Sequence, residues 1–429
     1  MPMKPLNRPV LLLAAVLASC AGASADLAAY VGKNDQEFRW TKGSESTVGA
    51  VKVVNLKVQS LVWRGIPWSH TVQLFIPPAM KHPKTALLLI TGGDPGLTGA
   101  ALGTAFSQQV EAPVAVLYNI PNQPLLGMRE DDLIAHTFQE YLKSGDDSWV
   151  LLFPMTKSAV RAMDAVQAYS RQELAAPIED FVVTGASKRG WTTWLTAASD
   201  KRVKGIAPMV FDNLNFAKQM PRQLELWGKY SEQIEDYSRR GLQQKMDTPE
   251  GRKLTSMVDP WFYRRSLTMP KLLINGANDR YWSTDSTRLY WDDLAGEKYL
   301  LSIPNAGHGL EDRARLLGSM AAFFHAVAAG KELPKLSHTQ SETGGKARLT
   351  VRSNVKPVEV RLWVARAPDL DFRPVKWESQ PMTASGETYT GEIDLPSTGG
   401  AAVFAEAAYE IDGRRFTLST PSTVYGKRQ

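Results

Sequence analysis

The chain has 429 residues, 43% of them hydrophobic and 22% charged, and carries a formal charge of +6. That length exceeds what one compact core accommodates, so two or three domains are expected, and the balanced composition excludes a disordered or low-complexity protein. The basic residues are scattered instead of gathered into a patch or stripe, which excludes a nucleic-acid-binding surface.

Residues 1–25 read as an export leader. Lys4 and Arg8 supply its positive segment, and Val10 to Ala18 is an apolar run too short to span a bilayer. Two maturation routes are written into it. Ala23-Ser24-Ala25 ahead of Asp26 forms a small-x-small signal-peptidase site, whereas Leu17-Ala18-Ser19-Cys20 is similar to a bacterial lipobox. In the second route Cys20, the single cysteine of the chain, would become a lipidated first residue and tether the protein to the envelope. The expected location is the periplasm, or the outer membrane as a lipoprotein, of a bacterium. Either route leaves the mature chain without a free thiol, so disulfides, zinc–cysteine sites and a cysteine nucleophile drop out.

From about Phe38 to Gly92 the pattern is β. VKVVNLKVQSLVWRG and HTVQLFIPP alternate, and KTALLLITGG is a buried strand ending in Gly-Gly. PVAVLYNIP (113–121) is a second buried strand. Helical spacing over Ala159 to Leu174 is followed by the strand DFVVTG and a helix over about 190–198. The strand VKGIAPMV, a helical insert, the strand KLLINGAND, a helix over STRLYWDDL and the strand KYLLSIP complete the series. Strands alternating with helices predict an α/β class fold, a mostly parallel sheet covered on both faces, over residues 26–335. The polar segment 213–265 interrupts the alternation and reads as a cap-like insert or as ordinary surface helices. Residues 336–346 read as a linker. From 347 to 429 short alternating strands predict a small β-sandwich.

The chemistry centres on Val183-Thr184-Gly185-Ala186-Ser187-Lys188-Arg189-Gly190, where a buried strand runs through Gly-x-Ser directly into a helix. Such an elbow holds the serine on a sharp turn and points the free N–H groups of the helix start at it. It departs from G-x-S-x-G, because Arg189 occupies the slot of the last glycine. The acid and histidine of such sites follow the serine on loops after late strands. His308 lies in the turn-rich loop Pro304-Asn305-Ala306-Gly307-His308-Gly309, while His325, in an apolar helix, reads as a packing residue. Asp279, just beyond the strand LLIN, is the acid candidate, and Asp285 the competitor, better suited to capping.

Oxyanion donors are expected at the Lys188 N–H and in the Gly92-Gly93-Asp94 turn, at Gly93 or Asp94. The Lys188 ammonium is either a further cation there or a solvated side chain. Tyr281 and Trp282, two residues past the acid, together with Trp191 and Trp261, suggest a substrate pocket. Trp191 and Trp194, spaced i, i+3, are also read as core.

VTGASKRGWTTWLTAASDKRVKGIAPMVFDNLN, LLINGANDRYW and IPNAGHGL resemble the PhoPQ-activated pathogenicity-related protein family, as do ITGGDPG, MTKSAVRAMDAV and the β-rich tail. The resemblance implies an α/β-hydrolase fold similar to serine peptidases of the prolyl-oligopeptidase type. It also implies Ser187 as nucleophile, Asp279 as acid and His308 as base. The basic residue after the serine is similar to the elbow of glucuronoyl esterases, which keeps an ester substrate open beside a peptide. The expectation is an exported serine hydrolase using no metal or organic cofactor. The alternative of a different class is a non-catalytic envelope-binding protein of hydrolase fold.

Overall fold

A computed structural model describes residues 26–34 and 36–428. The leader and Cys20 lie outside the described residues. Nine strands form the central sheet: β1 (Arg39–Val48), β2 (Val51–Trp63), β3 (Ile66–Ile76), β4 (Thr85–Ile90), β5 (Val114–Leu117), β6 (Asp180–Ala186), β7 (Val203–Met209), β8 (Lys271–Gly276) and β9 (Lys298–Ile303). Their order is β1-β2-β3-β5-β4-β6-β7-β8-β9. The first three strands are antiparallel, and from β5 to β9 all pairs are parallel.

Strand alternation sends neighbouring side chains to opposite layers. Phe181 and Val183 of β6 join the core beneath the helices Leu152–Glu173 and Lys188–Ser199. Val182 joins the core shared with the helices Leu97–Val110 and Arg313–Ala328. Because β5 and β6 flank β4 on opposite sides, the chain changes direction of winding between β4 and β6. The crevice beyond the carboxyl ends of strands at such a switch point is where open α/β sheets hold ligands. Ser187 directly follows β6 and the Gly92–Gly93 turn follows β4.

Residues 213–265 lie between β7 and β8 and are carried mainly by the helices Phe216–Trp227 and Pro249–Val258. Asp259 ties the two ends of this segment together by accepting the backbone N–H groups of Asn215 (3.1 Å), Phe216 (2.9 Å) and Trp261 (2.9 Å). The expected helix over STRLYWDDL is instead two 3-10 turns, Ser286–Leu289 and Trp291–Asp293. Its Thr287 and Tyr290 hydroxyls turn inward and donate to the Asp212 carboxyl group.

The carboxyl-terminal strands build two antiparallel sheets, one of four and one of five strands. The supposed linker 336–346 is a correction: Leu336–Thr343 is an edge strand paired with Lys346–Ser353. Gly344 and Gly345, both at positive φ, make the two-residue hairpin turn between them. The sandwich is fused to the α/β layer. Phe323 and Leu301 share one core with Leu349, Val403 and Phe416, and Arg315 pairs with Glu406 at 3.0 Å.

Candidate active site

Ser187 sits at φ 59°, ψ −126°, a region that L-residues avoid, between the end of β6 and the helix Lys188–Ser199. Close packing forces this bend. A Cβ on Gly185 would lie 2.7 Å from the Arg189 carbonyl, and one on Gly190 would lie 2.8 Å from the Met209 carbonyl. The second small residue of the elbow is therefore Gly190, one place later than in G-x-S-x-G. The Ser187 N–H is engaged by the Met209 carbonyl at 2.8 Å. The next amide, of Lys188, opens the helix, where N–H groups have no intrahelical acceptor.

Arg189 takes the irregular slot for a structural reason. Its guanidinium makes two 2.7 Å bonds to Glu130 and donates to the Ile120 carbonyl at 2.5 Å. It lies against Gly92, where a Cβ would fall 1.6 Å from its terminal nitrogen. This contact packs Gly92 against the side chain two residues after Ser187. Of the two residues of this turn expected as oxyanion donors, Gly93 has its amide 3.5 Å from the Thr91 hydroxyl. Asp94 lines a separate cavity of about 370 Å³ with Lys57, His70 and Tyr118.

The Lys188 ammonium is neither a free cation beside the serine nor a solvated side chain. It is 8% exposed and paired with Glu130 at 2.8 Å and Asp131 at 3.0 Å. Glu130 is held down to about 2: burial opposes ionisation, but the adjoining Arg189 and Lys188 outweigh it. Neither acid was singled out in the sequence. The signal was present in Glu130-Asp131-Asp132, an acidic first turn of the helix Glu130–Ser144.

Asp279 and His308 meet. Asp279 Oδ2 lies 2.7 Å from His308 Nδ1, and Oδ1 accepts the Tyr281 N–H at 2.9 Å. The loops carrying them are locked together. The Asn278 N–H donates to the Ala306 carbonyl at 2.9 Å, and a Cβ on Gly276 would collide with the Gly307 carbonyl at 2.2 Å. His308 Nε2 is buried and has no protein hydrogen-bond partner among the described residues. No hydrogen bond joins it to Ser187. Asp285 belongs elsewhere: it forms no capping bond and holds Arg222 of the insert through both oxygens, the shortest bond being 2.6 Å. His325 packs in its helix, 3.0 Å from His82 and 3.1 Å from the Gln109 carbonyl.

A strap from the carboxyl-terminal sandwich reaches the loops that carry Asp279 and His308. Asn278 Nδ2 lies 2.7 Å from the Val375 carbonyl and 3.2 Å from those of Phe372 and Arg373. Asn305 clasps the Trp377 backbone at both ends, accepting its N–H at 2.8 Å and donating to its carbonyl at 3.0 Å. Arg373, 3% exposed, pairs with Asp371 and Glu232 and lies over the Trp227 ring of the insert at 3.8 Å.

Ser187 and Lys188 line a chamber of about 550 Å³ walled largely by the insert. All four aromatic residues expected at a pocket, Trp191, Trp261, Tyr281 and Trp282, line it too. Trp194 does not, being fully buried in the core. The Tyr281 ring stacks on His308 with centroids 4.2 Å apart, joining the histidine loop to the chamber wall. Burial and nearby carboxylates push the Tyr281 phenol up to about 12, so it stays neutral.

A strained serine between strand and helix on a doubly covered parallel sheet, with an acid and a histidine on the loops after its last two strands, defines an α/β-hydrolase fold. The chain belongs to the PhoPQ-activated pathogenicity-related protein family, whose profile matches residues 27–373. It is 29% identical over 442 residues to autocrine proliferation repressor protein A of Dictyostelium discoideum, covering 93% of this chain and 88% of that protein. An acetyl xylan esterase from Paenibacillus sp. R4 superposes with a TM-score of 0.51 at 12% identity, covering 70% of this chain and 92% of that one. A second acetyl xylan esterase, from Thermoanaerobacterium sp. JW/SL YS485, gives 0.49 at 13% identity, covering 71% and 94%.

Proposed function

We propose that this protein is an exported serine hydrolase that cleaves esters through an acyl-enzyme on Ser187. In this reading His308 Nε2 takes the proton of Ser187 as its oxygen attacks the substrate carbonyl. Asp279 holds the opposite edge of the imidazole and stabilises the imidazolium that forms. The oxyanion is met by the Lys188 N–H and a donor of the Gly92–Asp94 turn. Collapse expels the alcohol, which receives the proton from His308. Water, activated by the same imidazole, then releases the acid and regenerates Ser187.

The observation that carries this reading is the 2.7 Å contact between Asp279 and His308, which leaves Nε2 buried and unpartnered on a ring stacked against Tyr281, part of the chamber wall that Ser187 also lines. Catalytic hydrogen bonds are often long or unformed without substrate, so an unpartnered His308 Nε2 is compatible with the proposal. An ester is favoured over an amide because the superposing enzyme is named for ester cleavage. The test is hydrolysis of p-nitrophenyl esters and p-nitroanilides by the wild type, Ser187→Ala, His308→Ala and Asp279→Asn. Ester turnover should fall by about 10³-fold or more in the first two variants. Faster anilide than ester turnover would make the protein a peptidase, and equal turnover by folded Ser187→Ala would refute the nucleophile.

Export rests on the leader, and the lipid anchor on Cys20. Mass spectrometry of the mature amino terminus should find a diacylated Cys20; an unmodified Asp26 terminus would contradict the anchor.

A further inference from the structure

The chamber over Ser187 is apolar in a way that specifies its guest. Phe216, Met220 and Leu224, spaced i, i+4, i+8 on the insert helix Phe216–Trp227, line it as one stripe. Ile234, Leu242 and Met246 add further aliphatic wall. Phe216 and Met220 pack in part against the core, the Phe216 ring edge-on to Trp191 at 5.7 Å, and the rest of the stripe borders the chamber instead of packing against protein. Leu224 is 41% exposed and Phe262 48% exposed, so the apolar lining continues out to the surface beside exposed Asp247 and Arg252.

The polar groups of the chamber are largely engaged within the protein. The indole N–H groups of Trp191, Trp261 and Trp282 donate to the Val258 carbonyl, the Asp293 carboxylate and the Val210 carbonyl. Tyr237 donates to Asp131 at 3.0 Å, and Asp259 is occupied by three backbone amides. A guest rich in hydroxyls would lose its hydration there with few bonds in return. Asn213 Oδ1 and Gln243 Oε1 are the buried oxygens of the lining that lack a protein partner, and each can take one donor from an otherwise apolar body. The volume lies inside the roughly 300–1,000 Å³ of pockets that enclose drug-sized ligands, far more than an acetyl group fills.

We infer that the insert builds an acyl-binding chamber, and that the substrates are esters of bulky, predominantly apolar acids instead of acetyl esters. The inference rests on the proposed role of Ser187. The acyl side is assigned because the alcohol must leave and water must enter between the two half-reactions. The group retained through that exchange is the one an apolar chamber holds best.

Three measurements test it. With p-nitrophenyl esters, which share a leaving group, kcat/KM should climb from acetyl to octanoyl by about 10²-fold or more, since each buried methylene is worth up to about fourfold. Ser187→Ala should bind octanoate, read by displacement of 1-anilinonaphthalene-8-sulfonate. Met220→Trp, which fills the chamber, and Leu224→Asp, at an exposed position, should each lower the octanoyl-to-acetyl ratio at least tenfold. Serine-dependent turnover that is flat or falling with chain length would overturn the chamber and leave the nucleophile standing. Octanoate binding without any Ser187-dependent turnover would keep the chamber and overturn the nucleophile. Absence of both binding and chain-length preference would overturn the chamber.

Discussion

Replacing Asn278 by alanine removes the tether between the acid loop and the carboxyl-terminal sandwich without touching Asp279. The amide spans three carbonyls, at 2.7, 3.2 and 3.2 Å, and its two hydrogens can satisfy two of them. Loss of one strong and one weaker bond costs about 1–2 kcal/mol of stability, since the freed carbonyls lie in a partly buried seam. The larger effect falls on rate. Asn278 precedes the acid, and a displacement of about 1 Å in a catalytic loop can cost on the order of 10²-fold. Asn278→Ala should therefore lower kcat on a preferred ester by about 10- to 100-fold, while KM changes less than about twofold because the chamber walls are untouched. Asn278→Asp, which turns a carboxylate toward the same carbonyls, should be worse. Stopped-flow hydrolysis with a parallel urea melt separates the two effects. A folded Asn278→Ala, Asn305→Ala double variant with wild-type kcat would refute the positioning role, even if its urea midpoint fell.

Restoring the familiar elbow by Arg189→Gly should harm the protein. It leaves Glu130 and Lys188 in an unbalanced cluster and a void beside Gly92. A loss of about 2–3 kcal/mol in urea unfolding is expected, below the cost for a fully buried pair because Glu130 is 41% exposed. An unchanged midpoint would show that the guanidinium is dispensable. A second outcome concerns pH. Burial raises the Asp212 carboxyl to about 7, against hydrogen bonds from Tyr290 and Thr287 that lower it. The folded state thus holds a proton that the unfolded chain releases near an ordinary aspartate value. That contribution is complete below about pH 4 and is lost as pH rises through about 7. Asp212→Asn should flatten the fall in stability between pH 4 and 7. Some slope should remain, because burial raises Asp259 to about 7 as well. Identical pH–stability curves for wild type and variant would contradict the assignment.

What was legible in the sequence is what local chemistry encodes. A buried strand, Gly-x-Ser and an immediate helix define the elbow within about ten residues, and a histidine in a glycine-rich loop after a strand is equally local. Arg189 could not be understood that way, because its partners Gly92, Ile120 and Glu130 come from three other segments. The Lys188 side chain was misjudged for the same reason. The strap was invisible: Asn278 meets carbonyls nearly a hundred residues away, and an asparagine in a turn reads as ordinary turn chemistry. The strand Leu336–Thr343, by contrast, is written in the sequence. Gly344-Gly345 between Thr- and Lys-bearing alternating segments is a two-residue hairpin signal, and the polar composition of the strand reflects its place at a sheet edge. The helix Leu97–Val110 is hidden because its glycines lower its helix propensity, and its glycines and alanines together blur its apolar stripe.

The central claim is that the Ser187 hydroxyl is an activated nucleophile. Purified protein treated with a fluorophosphonate, digested and analysed by tandem mass spectrometry, should carry the phosphonyl adduct on the Ser187 peptide. His308→Ala should label far more slowly and Ser187→Ala not at all. A folded wild-type protein that stays unlabelled, or carries the adduct on another residue, would contradict the account.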